Sequence, residues 1–455
     1  MIDCTFFQGK KVAVLGLGKS GRHAVLALQK ADVEVIAWDD NKGVHTPDIP
    51  LVDFHHYDMR DLDMLVISPG IPHTLPAPNA LIQKARDAGV QIVNDVHLFK
   101  QSYDGDIIAV TGTNGKSTTT ALMGHVLSRS GERVQVGGNI GTALMSLDQE
   151  CPISVTELSS YQTEITDHLN ARGVIWLNIT PDHLDRHGDM DGYVRAKAKI
   201  FETSQSSGLA VICIDDTYSV GIFQDITKTK KWRVIPISTH KVIPDGVSIV
   251  AGEIYDHGVR IGDMKNAVRL KGEHNHQNAA CVYAMARHLY DIPSDVILSQ
   301  LTTFKGLSHR QYHVRHIGNV DYINDSKATN AQATEQALKS YHNIYWLAGG
   351  VAKDGGIETL MSYFTNVKKA YLYGASAQDF ADSLKNTQIA HATFATLEDA
   401  THQAHQDAHK DISGTSGNAE HRTVLLSPAC ASFDQYENFE KRGDHFEHIV
   451  SDLAK

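Results

Sequence analysis

From Lys11 to about Asp95, short runs of Val, Ile and Leu alternate with longer stretches whose apolar residues recur every three or four positions. KVAVLGLG is followed by a helical stretch through Ala31, then VEVIAW, DMLVISPG and VQIVND. Strand-length runs alternating with helix-length ones predict βαβ units and a parallel sheet. A second block opens with DIIAVTGTNGKSTTTALMGHVLSRSG, read as strand, glycine loop and helix, and continues through PISVTELSS and GVIWLNITPDHLDRHG. Between about Leu209 and Leu270 the helical signal fades. Short strands are expected in AVICIDD, VRIGDM and AVRLKG, laid out as a small extra sheet, before a helix from about Asn275 to Tyr290. Near FKGLSHRQYHV the pattern resets, and VDYINDSKATN, IYWLAGG, KAYLYGAS and TVLLSPACASFDQ repeat strand, loop and helix. Three α/β blocks in series give three sets of strand carboxyl ends, the edge at which open α/β sheets bind ligands.

Composition narrows the class. With 455 residues, 42% apolar and 21% charged, and with 35 Gly against 12 Pro, the chain is a folded protein of several domains. The net charge of −11 gives no broad basic footprint for nucleic acid or anionic lipid. Cys4, Cys151, Cys213, Cys281 and Cys430 are odd in number, far apart and never in a C-x-x-C pair, which argues against a disulfide framework or a zinc knuckle. No apolar run approaches the ~20 residues of a membrane span, and the start, MIDCTFFQGKKVAVLGLG, reads as no targeting signal. A cytoplasmic protein without membrane or nucleic-acid partners is expected, as a monomer with mobile lobes. The 26 histidines are scattered without ligand spacing and read mostly as surface or hydrogen-bonded side chains.

Two glycine loops carry the first chemistry. Gly16, Gly18 and Gly21 follow a strand and open a helix, and Asp39 and Asp40 end the next strand about 20 residues on. Backbone amides there can close on a diphosphate at a helix N-terminus while an acid holds a ribose hydroxyl. The bland alternative is glycine packing a helix against a strand. Thr111-Gly112-Thr113-Asn114-Gly115-Lys116-Ser117-Thr118 also joins a strand to a helix, so amides, the Lys116 ammonium and the Ser117 hydroxyl converge on a phosphate and its Mg²⁺. It is shorter than the standard phosphate loop, whose first glycine would fall at Val110.

Glu157 ends an apolar strand beside that loop, where an acid can hold a metal directly or through water. In DHLDRH, His183 and His187 have i,i+4 spacing, but Leu184 replaces the Glu a zinc protease needs, which leaves His183 as a candidate ligand. Lys197 shares the inward helical spacing of Tyr193, Ala196, Ile200 and Phe201. Either its stem snorkels, or it is a desolvated amine of lowered pKa. Further on, Asp325-Ser326-Lys327, Lys353 after Gly349 and Gly350, and Ser427 to Phe433 each follow a strand, where hydroxyls, amides and lysines can surround a small carboxylate.

TGTNGKST, the strand ending at Glu157, NITPDHLD, the Lys197 helix, GEHNHQN, GLSHR, NDSKATN and SPACASFDQYENFEKRG occur in the order found in the Mur ligases. The chain resembles that family over essentially its whole length. Within it, the NDSKATN and SPACAS segments are similar to members that add D-glutamate to UDP-N-acetylmuramoyl-L-alanine. The DNPR-type signature of relatives that add diamino acids is absent.

The resemblance implies a three-domain α/β fold. A Rossmann-like parallel sheet in 1–95 would bind the UDP-sugar, a central P-loop ATPase-like domain with its small extra sheet in 96–305 would bind ATP, and a Rossmann-like domain in 306–455 would bind the amino acid. It also implies ATP-driven amide formation through an acyl phosphate, in cytoplasmic peptidoglycan precursor synthesis. Carried over by position, Gly112, Thr113, Asn114, Gly115, Lys116, Ser117 and Thr118 would contact ATP phosphates, and Asn275, Asn278, Arg310, Asp325 and Lys327 the rest of the nucleotide. Ser117 and Glu157 would serve one Mg²⁺ and His183 a second, with Lys197 as a carbamylated ligand. Gly18, Lys19, Ser20, Asp39, Asp40, Ser68 and Asn139 would hold the UDP-sugar, and Thr329, Lys353, Ser432 and Phe439 D-glutamate. Lys19 and Asn41 lie where the family varies, so selectivity can shift there. The alternatives are another Mur-type or folylpolyglutamate-synthase-like ligase, an NAD-dependent dehydrogenase, which the first block alone would suit, and a nucleotide-binding scaffold without the chemistry.

Overall fold

The computed structural model describes residues 1–41, 49, 51–139, 141–202, 208–352, 356–385, 387–413 and 421–453. The chain divides into two compact units, Met1–Phe304 and Lys305–Lys455. In the first unit, β1 (Lys11–Leu15), α1 (Lys19–Lys30), β2 (Glu34–Trp38), β3 (Met64–Ile67), α2 (Ala80–Asp87), β4 (Gln91–Val93) and α3 (Asp95–Ser102) build a parallel sheet of order β2-β1-β3-β4. Every residue of β3 is buried, as expected of a parallel strand covered on both faces by helices.

The same unit continues with β5 (Asp106–Thr111), α4 (Lys116–Arg129), β6 (Val134–Gly138), β7 (Ile153–Glu157), α5 (Ser160–Glu164), β8 (Gly173–Trp176), α6 (Leu184–His187) and α7 (Met190–Ala198). After these come β9 (Gly208–Cys213), α8 (Thr217–Thr229), β10 (Trp232–Ser238), β11 (Val247–Val250), β12 (Glu253–Asp256), β13 (Val259–Asp263), α9 (Glu273–Leu289) and α10 (Ser294–Thr303). Among the described residues these strands form one sheet of order β13-β12-β11-β10-β9-β8-β5-β7-β6.

The strands expected as a small extra sheet are therefore not separate. β9 and β10 extend the central sheet in parallel, and β11 to β13 continue it as an antiparallel edge. AVRLKG is not a strand. Successive turns bond the Ala267 amide to Met264 O and the Leu270 amide to Ala267 O, so its apolar residues have no ladder to join. One apolar cluster runs from Val12 and Val14 through Val96 and Phe99 to Val174, Trp176 and Ile212, so the first two sheets share a core.

The second unit holds β14 (Tyr312–Ile317), β15 (Val320–Asn324), α11 (Ala331–Ser340), β16 (Ile344–Gly349), β17 (Val351–Ala352), β18 (Val367–Tyr373) and α12 (Ala377–Leu384). β19 (Ala390–Phe394), α13 (Leu397–Ser413), β20 (Arg422–Leu426), β21 (Cys430–Ala431) and α14 (Phe439–Asp452) complete it. Its main sheet, order β14-β15-β20-β16-β18-β19, is parallel apart from the β14–β15 hairpin, and β17 pairs with β21 as a separate ribbon. Among the described residues no helix is long and apolar enough to cross a membrane.

Candidate active site

The phosphate-type loop leaves the carboxyl end of β5 and enters α4 at Gly115, which has φ +83° and sits against α9. A Cβ there would stand 2.3 Å from Asn278 Oδ1, so only glycine fits. No side chain caps α4, which leaves the first-turn amides of Lys116, Ser117 and Thr118 as an anion receptor. Asn178 shapes the loop: its carbonyl accepts from the Thr113 amide at 2.7 Å and its Oδ1 from the Asn114 amide at 2.9 Å. Gln277 Oε1 in turn accepts from Asn178 Nδ2 at 2.7 Å. Lys116 Nζ curls back to donate to the carbonyls of Gly112 and Thr113, at 3.0 and 2.7 Å.

Glu157, 2% exposed, ends the neighbouring strand β7. Asn139 Nδ2 donates to its Oε1 at 3.1 Å, so this residue, expected at the UDP-sugar, stands against the buried carboxylate. Glu157 Oε2 is buried with no hydrogen-bond partner among the described residues, and so is Asn278 Oδ1. A carboxylate oxygen held in this way costs free energy unless a cation or donor meets it. With the Ser117 hydroxyl it is the hard-oxygen donor set that suits Mg²⁺.

Lys197 is 1% exposed, so its amine does not snorkel. Its Nζ lies 4.9 Å from the Tyr193 ring centroid, and the Tyr193 hydroxyl is 3.2 Å from Thr113 Oγ1, which ties α7 to the loop. Burial, reinforced by the Lys116 charge, pushes the Lys197 amine well below its ordinary range, against the pull of Asp182 and Glu157. His183 precedes α6 in a left-handed conformation. Its Nδ1 is 2.8 Å from the Tyr161 hydroxyl and its Nε2 3.4 Å from Asp182 Oδ2. His187 turns elsewhere: its Nε2 is 2.9 Å from Ser160 Oγ, and burial pulls it down to about 4.

At the first loop, Asp39 Oδ2 accepts from the Leu17 amide at 2.6 Å and its Oδ1 from the Asn41 amide at 2.8 Å. Ser68 donates to Gly16 O at 2.8 Å. Asp40 takes the Trp38 indole at 2.8 Å, Lys19 Nζ donates to Gly141 O, and Ser20 is within reach of the buried Asp95 carboxyl. Gly18 opens α1 with nothing within 4 Å of where a Cβ would stand. On α9, Asn275 Nδ2 donates to Lys271 O at 2.9 Å.

In the second unit, Asp325 follows β15 and is 4% exposed. It accepts from the Ser427 hydroxyl at 2.7 Å and the Gln311 amide at 3.0 Å, and burial pushes it up to about 7. Lys327 Nζ lies 6.0 Å from the Phe439 ring centroid, and the Thr329 amide donates to Lys327 O. Ser432 is buried, Phe439 half-buried and Arg310 exposed. Lys353 lies outside the described residues.

Arg442 was missed by sequence reasoning. It is 0% exposed, and its guanidinium donates to the carbonyls of Ser326 at 2.8 Å, Cys430 at 3.0 Å and Gly349 at 3.4 Å. One side chain thus holds the NDSKATN, SPACAS and β16 loops together. Asn178, Gln277, Tyr161 and Tyr193 were missed as well.

Comparison with known proteins gives a consistent picture. Residues 110–286 match the Mur ligase middle domain family. The chain is similar to the UDP-N-acetylmuramoylalanine–D-glutamate ligase of Phenylobacterium zucineum, at 41% identity over 471 residues, covering 100% of this chain and 98% of the relative. The enzyme of that name from Caulobacter vibrioides is 42% identical over the same coverage. Among solved structures, the UDP-N-acetylmuramate–alanine ligase of Thermotoga maritima aligns with a TM-score of 0.59 at 19% identity, over 98% of this chain and 100% of that one. At that identity the likeness speaks to the fold.

Proposed function

This chain belongs to the Mur ligase family, and on that premise we propose that it joins D-glutamate to UDP-N-acetylmuramoyl-L-alanine with ATP, releasing ADP and phosphate, in peptidoglycan precursor synthesis. The observation that carries the reading is end-to-end similarity, 41% identity over 100% of the chain, to a ligase named for that reaction.

A carboxylate is a poor electrophile, so it must be activated before an amine can attack. The alanyl carboxylate oxygen takes the γ-phosphoryl group as the bond to ADP breaks. The D-glutamate amine then adds to the acyl carbon, loses a proton, and phosphate leaves. Little covalent work falls to the protein, whose task is placing charge and excluding water. The α4 amides and Lys116 hold the phosphates beside Gly112 to Thr118. Ser117 and Glu157 would hold one Mg²⁺ and His183 a second, which would neutralise charge on the transferring oxygens. Tyr161 at His183 Nδ1 supports a ligand role for Nε2.

A lowered pKa favours the neutral, nucleophilic form of the Lys197 amine, which would add to CO₂, forming an N–C bond, losing a proton and leaving an anionic carbamate. Lys197→Ala is expected to be inactive and partly restored by acetate. Full activity without acetate would remove the carbamate role.

Gly18, Lys19, Ser20, Asp39, Asp40, Ser68 and Asn139 are assigned to the UDP-sugar. Asn275, Asn278, Arg310, Asp325 and Lys327 are assigned to the nucleotide, and Thr329, Lys353, Ser432 and Phe439 to D-glutamate. The cytoplasm, which supplies ATP and nucleotide-activated sugars, is the compartment this reading assigns. The test is phosphate release with UDP-N-acetylmuramoyl-L-alanine and a panel of D-glutamate, L-glutamate, meso-diaminopimelate and L-lysine. D-Glutamate alone should support turnover; preference for a diamino acid would replace the proposed substrate.

A further inference from the structure

Three of the 26 histidines converge on one carboxylate at the edge of the second unit's sheet. His316 on β14 faces Asp321 on β15 across the hairpin, with its Nδ1 2.9 Å from Asp321 Oδ1. His313 stands three residues earlier and on a regular strand would point to the opposite face. A register shift between His313 and Arg315 inserts an extra residue there, and His313 Nε2 comes to 2.7 Å from the same Oδ1. His421, immediately before β20, brings its Nε2 to Asp321 Oδ2, its ring nearly parallel to that of His316 at 13° and 5.6 Å. One ligand atom from each of His316, Asp321 and His421 lies within 4.8 Å of the others.

We propose that His316, Asp321 and His421 form a site for a divalent transition-metal ion of the zinc class, with His313 steadying the carboxylate. Two imidazoles and a carboxylate are a borderline donor set that suits Zn²⁺ and not Mg²⁺, and three protein ligands leave room for water. Tetrahedral ligands at zinc distances stand roughly 3.3 Å apart, so the His316 contact opens by about 0.4 Å and the shorter His421 contact by about 0.8 Å to admit the ion. Burial raises the Asp321 carboxyl, but hydrogen bonds from the three histidines outweigh it and keep the group ionised.

The site shares no residue with the proposed catalytic metals, whose residues Ser117, Glu157, His183 and Lys197 belong to the first unit. Within the second unit, Asp321 lies four residues before Asp325, ~13 Å toward the other end of the sheet. A bound ion would fasten the β14–β15 hairpin to the start of β20. A second cluster, Asp256, His257 and His288, is built differently: both imidazoles share Asp256 Oδ1, and Oδ2 accepts from the Tyr283 hydroxyl at 2.9 Å. It serves as the control.

The experiment is calorimetric titration of Zn²⁺ into the tag-free full chain in excess Mg²⁺. The native chain should bind one more Zn²⁺ than His316→Ala/His421→Ala, while His257→Ala should match the native chain. His313→Ala should weaken the same site ~10–100-fold, as loss of an outer partner does. Circular dichroism establishes that the double variant is folded, and His421→Gln replaces it if it is not. Equal stoichiometry and affinity in the native and ligand-deleted chains, or loss of the extra Zn²⁺ in His257→Ala, overturns the proposal.

Discussion

Both glycine loops join a parallel strand to a helix, yet their surroundings differ. Around Gly16 to Gly21 the polar groups answer one another: Asp39 is taken up by the Leu17 and Asn41 amides, and Ser68 and Arg22 donate to the Gly16 and Leu17 carbonyls. A Cβ on Gly21 would stand 1.9 Å from Gly16 O, so that glycine is required by the fold alone. Around Gly112 to Ser117, Glu157 Oε2 and Asn278 Oδ1 are buried without partners among the described residues, and burial pushes a nearly inaccessible lysine well below its ordinary range. An unanswered buried polar atom costs ~1–3 kcal/mol. Glycine spacing therefore reports the shape of the backbone, whereas unanswered atoms report where a charged ligand is expected.

The sharpest way to break this contrast is Lys116→Ala. Phosphate release should fall ~10²–10³-fold, as when a donor to developing charge is removed. UDP-sugar affinity should stay within ~0.5 kcal/mol, because Lys116 Nζ donates to the Gly112 and Thr113 carbonyls of its own loop. Equal losses in a turnover assay and a binding titration would show that the two loops act on one ligand.

The contrast also explains what could be read from the sequence. Strand-loop-helix order and the inward place of Lys197 follow from local periodicity, which the fold obeys because its parallel strands are buried on both faces. AVRLKG misled because apolar alternation does not reveal whether a neighbouring strand exists to pair with. Asn178, Gln277 and Tyr161 act across 22 to 99 residues on partners that no spacing rule connects. Arg442 was within reach: it shares the buried stripe of Gly443, Phe446, Ile449 and Val450 on α14. The inward-face argument applied to Lys197 applies equally there. What stays hidden even so is that its partners are carbonyls from three loops.

Two buried carboxylates extend the comparison between answered and unanswered groups. Asp325 has both oxygens bonded but is raised to about 7 by burial. A folded value above the unfolded one means that its contribution to stability is full below about pH 4 and is lost as pH rises through about 7. Over that window, denaturant unfolding of the native chain should lose on the order of 4 kcal/mol relative to Asp325→Asn. A pH-independent difference would show that the group is not held protonated. Glu157→Gln keeps the volume and removes the charge. Thermal melting should show the nucleotide-free protein more stable by ~1–3 kcal/mol, with the extra stabilisation by Mg²⁺ and ATP lost. A persistent Mg²⁺ shift would take Glu157 out of the metal site.

The smallest effect is expected at Gly18. Its φ of −63° suits any residue, and a Cβ there would meet nothing within 4 Å. Gly18→Ala should therefore cost the fold less than ~1 kcal/mol, the difference between Gly and Ala at the position before a helix. If that open space receives the diphosphate of the UDP-sugar, the added methyl group should raise the KM for the UDP-sugar by up to ~10-fold, about 1.4 kcal/mol. The KM for ATP and kcat should not change. An unchanged UDP-sugar KM would mean that the first loop only packs α1 against its sheet, and that the sugar nucleotide is held elsewhere in the first unit.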